Sequence, residues 1–166
     1  MSEPSVSVLI PVYNGQHTLA RCIDSALAQD YPNLEIVVVN DCSTDGTAAV
    51  LAGYEGRVTA LHNERNSGIA KTYNHAIHAS RGEIVLMLAS DCALAAPDYV
   101  ARMVRHFADP RIGAAVERLH KASGVVLEQF GHIADLDLRM RSLGYPASFG
   151  NIAMAPYDII ADYFRG

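Results

Sequence analysis

Polar residues that could bind a ligand follow three hydrophobic runs in the first half of the chain. Tyr13 and Asn14 follow the first run, Asp41 follows the second, and Ser90 and Asp91 follow the third. If the runs are parallel strands of one sheet, these residues meet at its carboxyl edge, where open α/β sheets bind ligands between strand ends and helix starts. Two carboxylates at that edge predict a single acidic pocket.

Strand and helix patterns alternate four times along the residues that would position these side chains. The predicted strands are Ser5–Pro11, Glu35–Asn40, Val58–His62 and Glu83–Ala89; the predicted helices are His17–Gln29, Ala48–Tyr54, Ile69–Ser80 and one that begins at Pro97 and ends before Asp109. This alternation predicts an α/β protein with a mainly parallel central sheet in three α/β/α layers. The β-branched second strand fits a position in the middle of the sheet, covered on both faces.

The pattern weakens toward the carboxyl terminus. Short strands are predicted at Ile112–Glu117 and Val125–Leu127, a helix at Ala134–Ser142 and a loop at Gly144–Ala155. The 166 residues, half of them hydrophobic, suit one domain with one sizeable core. We therefore expect a single domain over residues 1–166.

Composition disfavours several classes of function. The net charge of −5 comes without a cluster of basic residues, so nucleic acid is not an expected partner. Cys22, Cys42 and Cys92 are an odd number without a CxxC pair, which predicts neither a disulfide framework nor a zinc site. The sequence has no signal-peptide pattern and no apolar run of about 20 residues. A cytoplasmic location is expected, although the chain could be the soluble part of a membrane-associated protein.

Two common nucleotide-binding motifs fit poorly. The turn after the first strand, Val12–Gln16, holds one glycine where a dinucleotide fingerprint needs GxGxxG. Lys71 and Thr72 resemble the end of a phosphate-binding P-loop, but Arg65 and Ala70 stand where its glycines belong. Hydride-transfer cofactors and P-loop chemistry are both disfavoured.

Four motifs occur in order along residues 5–117. They are Val6–Asn14, Val38–Thr47, Asn66–Gly68 leading to Asn74, and Arg81–Val85 leading to Asp91. Each is weak alone, but their order and spacing resemble the signature of family 2 glycosyltransferases with the GT-A fold. The resemblance implies a nucleotide-sugar-binding core over residues 5–117 and an incomplete or reduced acceptor-side region over residues 118–166.

The resemblance also implies a donor site. Its substrate-binding residues would be Pro11, Val12, Tyr13, Asn14, Asp41, Ser43, Lys71, Ser90 and Asp91. Pro11, Val12 and Tyr13 would lie against the nucleotide base, and Asp41 would accept a hydrogen bond from it, typically from uracil, because a carboxylate suits a ring N–H. Lys71 is a candidate diphosphate partner or an ordinary solvated helix lysine.

The metal-binding motif of the family is incomplete in this chain. A DxD motif is usual at the fourth strand end, where it holds Mg²⁺ or Mn²⁺ on the diphosphate. Here Ala89 replaces its first acid and Cys92 replaces an acid that often follows, so Asp91 is the single expected metal ligand. Cys42 also stands where glycine or asparagine is usual. A divalent cofactor is expected, bound weakly.

The acceptor side leaves two alignments open. The resemblance implies inverting transfer to an acceptor hydroxyl, sugar or lipid-linked, with a carboxylate general base. In one alignment His132 and Ile133 stand where the base pair Glu-Asp should be; in the other, Ser123–Gly131 precedes the acceptor region and the chain stops before the base. The second is preferred, and no catalytic base is assigned.

Less specific interpretations remain for the same residues. Asp41 and Asp91 could be helix caps, and His75 and His78 could form a metal pair that lacks a third ligand. The leading hypothesis is a transferase that uses a UDP-sugar and that could associate peripherally with a membrane. The alternatives are a nucleotide-sugar-binding module without turnover and a scaffold domain that retains only the fold.

Overall fold

Four strands and four helices alternate along the chain. This computed structural model describes residues 3–109 and 112. The elements are β1 (Val6–Val12), α1 (Leu19–Leu27), β2 (Leu34–Asn40), α2 (Thr47–Ala52), β3 (Thr59–His62), α3 (Ile69–Ala79), β4 (Ile84–Met87) and α4 (Tyr99–His106).

The four strands form one parallel sheet in the order β3-β2-β1-β4. β1 lies between β2 and β4 and is buried along its whole length, which fits its continuous apolar sequence. β2 lies between β1 and β3, so the predicted central position of this strand is confirmed. All four carboxyl ends point to the same edge of the sheet.

Alternate side chains of the strands build two separate hydrophobic cores. Val8 and Ile10 face α1 and α2, where Ile23 and Leu51 are buried against them. The intervening Leu9 packs on the other face with Val37, Val39 and two residues of α3, Tyr73 and Ala76. Because successive strand residues point to opposite faces, one sheet supports helices on both sides. The predicted three-layer α/β/α architecture is confirmed.

Helix and strand limits differ from the predicted ones by one or two residues, with local reasons. α1 begins at Leu19 instead of His17, because the Gly15 carbonyl accepts the N–H groups of Thr18 and Leu19 and closes a turn first. α4 begins at Tyr99 instead of Pro97, whose carbonyl accepts the N–H of Asp30.

The carboxyl-terminal predictions cannot be compared with these elements. Ile112 lies in neither helix nor strand, and the rest of its predicted strand, like every element predicted after it, is outside the described residues. Among the described helices, none is long and apolar enough to cross a lipid bilayer.

Cys42 adopts a left-handed backbone conformation, with φ of 59°, directly after β2. A side chain with a Cβ is strained there by about 1–2 kcal/mol, whereas glycine is not. This conformation explains why glycine or asparagine suits the position. The exposed Cys42 thiol makes one long contact, 3.7 Å from the Glu64 carbonyl oxygen.

We expect Cys42→Gly to raise the free energy of unfolding by about 0.5–1 kcal/mol, the relief of strain less the entropy of the freer unfolded chain. Urea unfolding measures the difference. Cys42→Ala is the control, because it removes the same thiol and keeps the Cβ. Equal stability of the two variants would contradict the strain argument.

Candidate functional site

A cavity of about 460 Å³ opens at the carboxyl edge of the sheet. It lies beside β1, from which the chain order runs to β2 on one side and to β4 on the other. Such a switch in strand order is where open α/β sheets place ligands. The lining residues are Pro11, Val12, Tyr13, Asn14, Gly15, Thr18, Asp41, Ile69, Thr72, Ala89, Ser90 and Asp91.

The structure brings most of the predicted site residues together. Tyr13, Asp41 and Asp91 come from three different strand ends and line this one cavity. Ser43 and Lys71 are not among the lining residues. Lys71 is exposed on α3.

Asp41 is the buried polar centre of the site. The residue is 3% exposed, and three donors approach its carboxylate. Oδ1 accepts the Asn63 side-chain N–H at 2.7 Å and the Ser67 backbone N–H at 2.9 Å, while Oδ2 accepts the Gly68 backbone N–H at 2.9 Å. Because each carboxylate oxygen can accept about two hydrogen bonds, Oδ1 is saturated and Oδ2 keeps one free acceptor position.

The carboxyl group of Asp41 is held in its ionised form. Burial opposes ionisation, but hydrogen bonds from the Asn63 side chain and from the Ser67 and Gly68 N–H groups outweigh it, so the pKa of Asp41 is below its ordinary value. The capping interpretation of Asp41 concerns the next helix, α2, whereas two of its observed donors are the backbone N–H groups of Ser67 and Gly68, directly before α3. At the start of α2, the helix that follows Asp41 directly, Asp45 accepts the Thr47 N–H at 2.9 Å.

The loops after β1 and β2 are joined by side-chain hydrogen bonds to backbone groups. Ser43 accepts the Asn14 N–H at 2.9 Å, and the Asn14 side-chain oxygen accepts the Thr44 N–H at 2.8 Å. Thr47 accepts the Gly15 N–H at 2.9 Å. Ser43 therefore shapes the cavity wall from behind Asn14, which itself has a left-handed φ of 52°.

Two large apolar side chains are exposed at the cavity. Tyr13 is 49% exposed and Ile69 is 54% exposed, and both line the cavity. Sequence analysis missed Ile69, along with Thr72, although the polar run Asn63–Ser67 lies directly before Gly68 and α3. The available signal was an apolar residue directly after Gly68, at the first position of that helix.

Few groups at this edge could hold a metal ion. Asp91 is exposed and lines the cavity next to Ser90. Across the described residues, no three His, Cys, Asp or Glu side chains cluster tightly enough to form a metal site. Burial and the neighbouring Asp91 charge raise the pKa of the Cys92 thiol, so the thiol stays protonated at neutral pH. Its sulfur lies 3.7 Å from Asp91 Oδ1.

These oxygen donors fit a weakly held hard cation. Mg²⁺ and Mn²⁺ are commonly bound by one or two carboxylates together with substrate phosphates and water. A neutral thiol is a poor competitor for such a cation. His75, three residues from His78 on α3, has its Nδ1 2.7 Å from the Asn63 side-chain oxygen.

A second cavity, of about 410 Å³, lies at the amino ends of β2 and β3. Its charged lining residues include Glu35 and Arg81, which form an ion pair at 3.6 Å. Glu35 also accepts a hydrogen bond from the buried Ser7 hydroxyl. These groups satisfy one another, and the strand-end polar residues lie at the opposite edge.

A family model described as glycosyl transferase family 2 matches residues 7–159. The chain belongs to this family. The resemblance inferred from the four motifs is thereby confirmed.

Two relatives named for polysaccharide biosynthesis support membership of the same family. The chain is 36% identical over 121 residues to the succinoglycan biosynthesis protein ExoO of Rhizobium meliloti, an alignment that covers 72% of this chain and 34% of ExoO. It is 39% identical over 92 residues to TuaG of Bacillus subtilis, named as a teichuronic acid biosynthesis glycosyltransferase, covering 54% of this chain and 36% of TuaG. The chain thus spans about a third of the length of these relatives.

Solved structures of similar fold contain nucleotide sugars. A mannosyltransferase from Pyrobaculum calidifontis, in complex with GDP-Man and Mn²⁺, aligns with a TM-score of 0.64 and 33% identity over 68% of this chain and 34% of that one. TarS residues 1–349 from S. aureus, in complex with UDP-GlcNAc, aligns with a TM-score of 0.59 and 30% identity over 64% of this chain and 32% of that one. The GT-A fold of the described sheet and helices is confirmed by these neighbours.

Asp41→Asn is expected to lower the free energy of unfolding at pH 7 by about 1–3 kcal/mol, because an amide cannot satisfy all three donors. The depressed pKa makes this contribution complete above the unfolded value of about 3.9 and lost as the pH falls through the lower folded value. The gap between wild type and variant should therefore narrow below about pH 4.

Urea unfolding at pH 7, 4.5 and 3 measures this gap. Asp91→Asn is the matched control, since it removes an exposed carboxylate from the same cavity and should leave stability within about 0.5 kcal/mol. A gap for Asp41→Asn that stays constant across the three pH values would contradict the assignment.

Proposed function

We propose that the chain is the donor-binding portion of a glycosyltransferase that uses a nucleoside diphosphate sugar, with a UDP-sugar favoured. The observation that carries the proposal is the convergence of Tyr13, Asp41 and Asp91 on one cavity at the strand-order switch. The nucleotide-sugar complexes of the two structural neighbours support it.

Base recognition follows from the chemistry of Asp41. An ionised carboxylate only accepts hydrogen bonds, so its free Oδ2 position suits a base with a ring N–H. Uracil and guanine present such an N–H at neutral pH, whereas cytosine and adenine do not. The uracil preference and the GDP-Man complex of one neighbour are both compatible with this rule.

The exposed apolar side chains at the cavity fit the faces of the same base. Tyr13 offers an aromatic ring and Ile69 an aliphatic side chain, both largely exposed without a ligand. Stacking of a base on an aromatic ring contributes about 1–3 kcal/mol. We assign base contact to both residues.

Asp91 is assigned to the diphosphate and its divalent cation, Mn²⁺ or Mg²⁺. When bound, such a cation neutralises charge on the departing nucleoside diphosphate. The Asp91 carboxylate would hold it together with phosphate oxygens, and Ser90 lies beside this position.

The proposed reaction is a single displacement with inversion at the anomeric carbon. An acceptor hydroxyl attacks from the face opposite the leaving group, and a carboxylate general base removes its proton. Asp41 is unsuited to that role, because its three donors and depressed pKa make it a weak base. We therefore place the base outside the described residues.

The acceptor is proposed to be a sugar or lipid-linked sugar of a cell-envelope or extracellular polysaccharide. The names of ExoO and TuaG support this acceptor class. Such acceptors would place the protein in the cytoplasm at the inner face of the membrane, through regions outside the described residues.

Isothermal titration with UDP, with and without Mn²⁺, tests the proposal. We expect binding by the wild type, tightened by Mn²⁺, and no Mn²⁺ enhancement in Asp91→Asn, because the one carboxylate assigned to the metal among the described residues is lost. UDP without Mn²⁺ should bind Asp91→Asn about as well as wild type. Absence of heat for the wild-type chain under both conditions would overturn the donor-site proposal.

Substitution of the apolar pair should weaken binding without affecting the metal. We expect Tyr13→Ala to weaken UDP binding about 10-fold, from the lost stacking, and Ile69→Ala to weaken it less. Ile69→Asp should be worse than Ile69→Ala, since a carboxylate at that rim desolvates poorly and repels the diphosphate. Wild-type affinity for UDP in all three variants would show that the base binds elsewhere.

Turnover separates the transferase from a binding module. Asp91 is the one carboxylate assigned to the metal among the described residues, and this incomplete motif is the reason to test for a binding module without turnover. Release of UDP from a UDP-sugar by the intact chain, detected with a coupled assay, would eliminate the hypothesis of a binding module without turnover. Tight binding of UDP, with no UDP released from the UDP-sugar in the presence of acceptor mixtures, would favour the binding module.

A further inference from the structure

Asp41 is linked to α3 by a short chain of side-chain hydrogen bonds. Asn63, directly after β3, donates from Nδ2 to Asp41 Oδ1 at 2.7 Å, and its Oδ1 lies 2.7 Å from His75 Nδ1. The same Nδ2 is 3.3 Å from the Thr72 hydroxyl oxygen. Neither Asn63 nor His75 lines the cavity.

The chemistry of the three groups fixes the direction of these bonds. An ionised carboxylate can only accept, so the Asn63 amide must turn its nitrogen toward Asp41 and its oxygen toward His75. An amide oxygen can only accept, so His75 must carry its proton on Nδ1. The order of donation is therefore His75 to Asn63 to Asp41.

The Asn63 backbone is anchored independently of its side chain. Its N–H donates to the Asn40 carbonyl at 2.9 Å, which continues the pairing of β2 with β3 past the end of β3. The Asp41 N–H likewise donates to the Val12 carbonyl at 2.8 Å. The two side chains are thus held next to each other by the sheet, and the amide is oriented from both ends, by Asp41 at Nδ2 and by His75 at Oδ1.

We propose that Asn63 and His75 are positioning residues for nucleobase recognition. By occupying Oδ1 of Asp41 together with the Ser67 N–H, Asn63 leaves Oδ2 as the oxygen that meets the base. His75 acts through Asn63, by holding the amide in the orientation that donates. This inference rests on the proposed function, because it assigns a task at the proposed donor site.

The inference predicts an effect on base selectivity as well as on affinity. UDP and CDP differ at the ring position where uracil carries N–H and cytosine has a bare nitrogen, so their affinity ratio reports the alignment of the Asp41 acceptor. In the wild type we expect UDP to bind about 10-fold or more tightly than CDP. Loss of the Asn63 donor leaves Oδ1 with the Ser67 N–H alone, so either carboxylate oxygen can then meet the base, which should lower that ratio.

The experiment is isothermal titration of the intact chain with UDP and with CDP, each with Mn²⁺. We expect Asn63→Ala to weaken UDP binding about 10-fold with little change for CDP. His75→Phe, which keeps a ring and removes the donor, should weaken UDP binding about 3-fold, and His75→Gln, which keeps an N–H donor, should recover most of that loss. His78→Phe is the matched control, because His78 is exposed on the same helix.

A double substitution tests whether His75 acts through Asn63. In the Asn63→Ala background, His75→Phe should cause no further loss of UDP affinity, since the link is already cut. Melting temperatures with and without UDP are measured alongside, so that a variant with a weakened fold is titrated below its own unfolding transition.

The outcomes separate the two levels of the proposal. A wild-type chain that binds neither nucleotide would overturn the donor site itself. A wild-type chain that binds UDP, with Asn63→Ala retaining the wild-type UDP affinity and the wild-type UDP-to-CDP ratio, would overturn the positioning role alone. Additive losses in the double variant would show that His75 acts independently of Asn63.

Discussion

A buried carboxylate that must be surrounded by donors is the constraint on which this site depends. Asp41 is almost fully removed from solvent, and an ionised group in that position is tolerated only when hydrogen bonds replace water. Its donors come from the residue after β3 and from the turn before α3. One side chain directly after β2 therefore links β2 to β3 and to α3, and the geometry of the cavity follows from that arrangement.

The sheet makes this arrangement possible by dividing the packing between its faces. Leu9 and Val37 direct α3 to one face, while Val8 and Ile10 direct α1 and α2 to the other. The cavity lies where loops from both faces come over the same strand ends. Each half of the site is thus supported by its own hydrophobic core, and the hydrogen bonds between the loops after β1 and β2 join the halves.

Much of this could be predicted from sequence, because periodicity reports burial directly. The continuous apolar runs of β1 and β2 indicated strands covered on both sides, and the polar residues after them indicated the edge where a ligand binds. Ser43 and Lys71 show the limit of that logic. A residue within a binding motif can face the cavity or brace the loop behind it, and one sequence does not distinguish the two.

The residues missed by sequence analysis share a different cause. Asn63, Ile69 and Thr72 follow β3, whose short exposed sequence carries little periodic signal. Their positions depend on which neighbour β3 pairs with and on the angle at which α3 returns to the sheet. Those are long-range properties, so local patterns of charge and hydrophobicity contain no direct record of them. The same holds for the left-handed conformation of Cys42, which the residue type itself argues against.

The position of β4 beside β1 has a consequence for synthesis of the protein. The first and fourth strands are neighbours in the sheet, yet three helices and two strands are translated between them. A nascent chain that has released only β1 to β3 lacks β4 and the residues after it, so Asp91 cannot yet join Tyr13 and Asp41 at the cavity. The wall of the cavity is therefore completed only after the strand farthest from β1 along the chain has docked beside it.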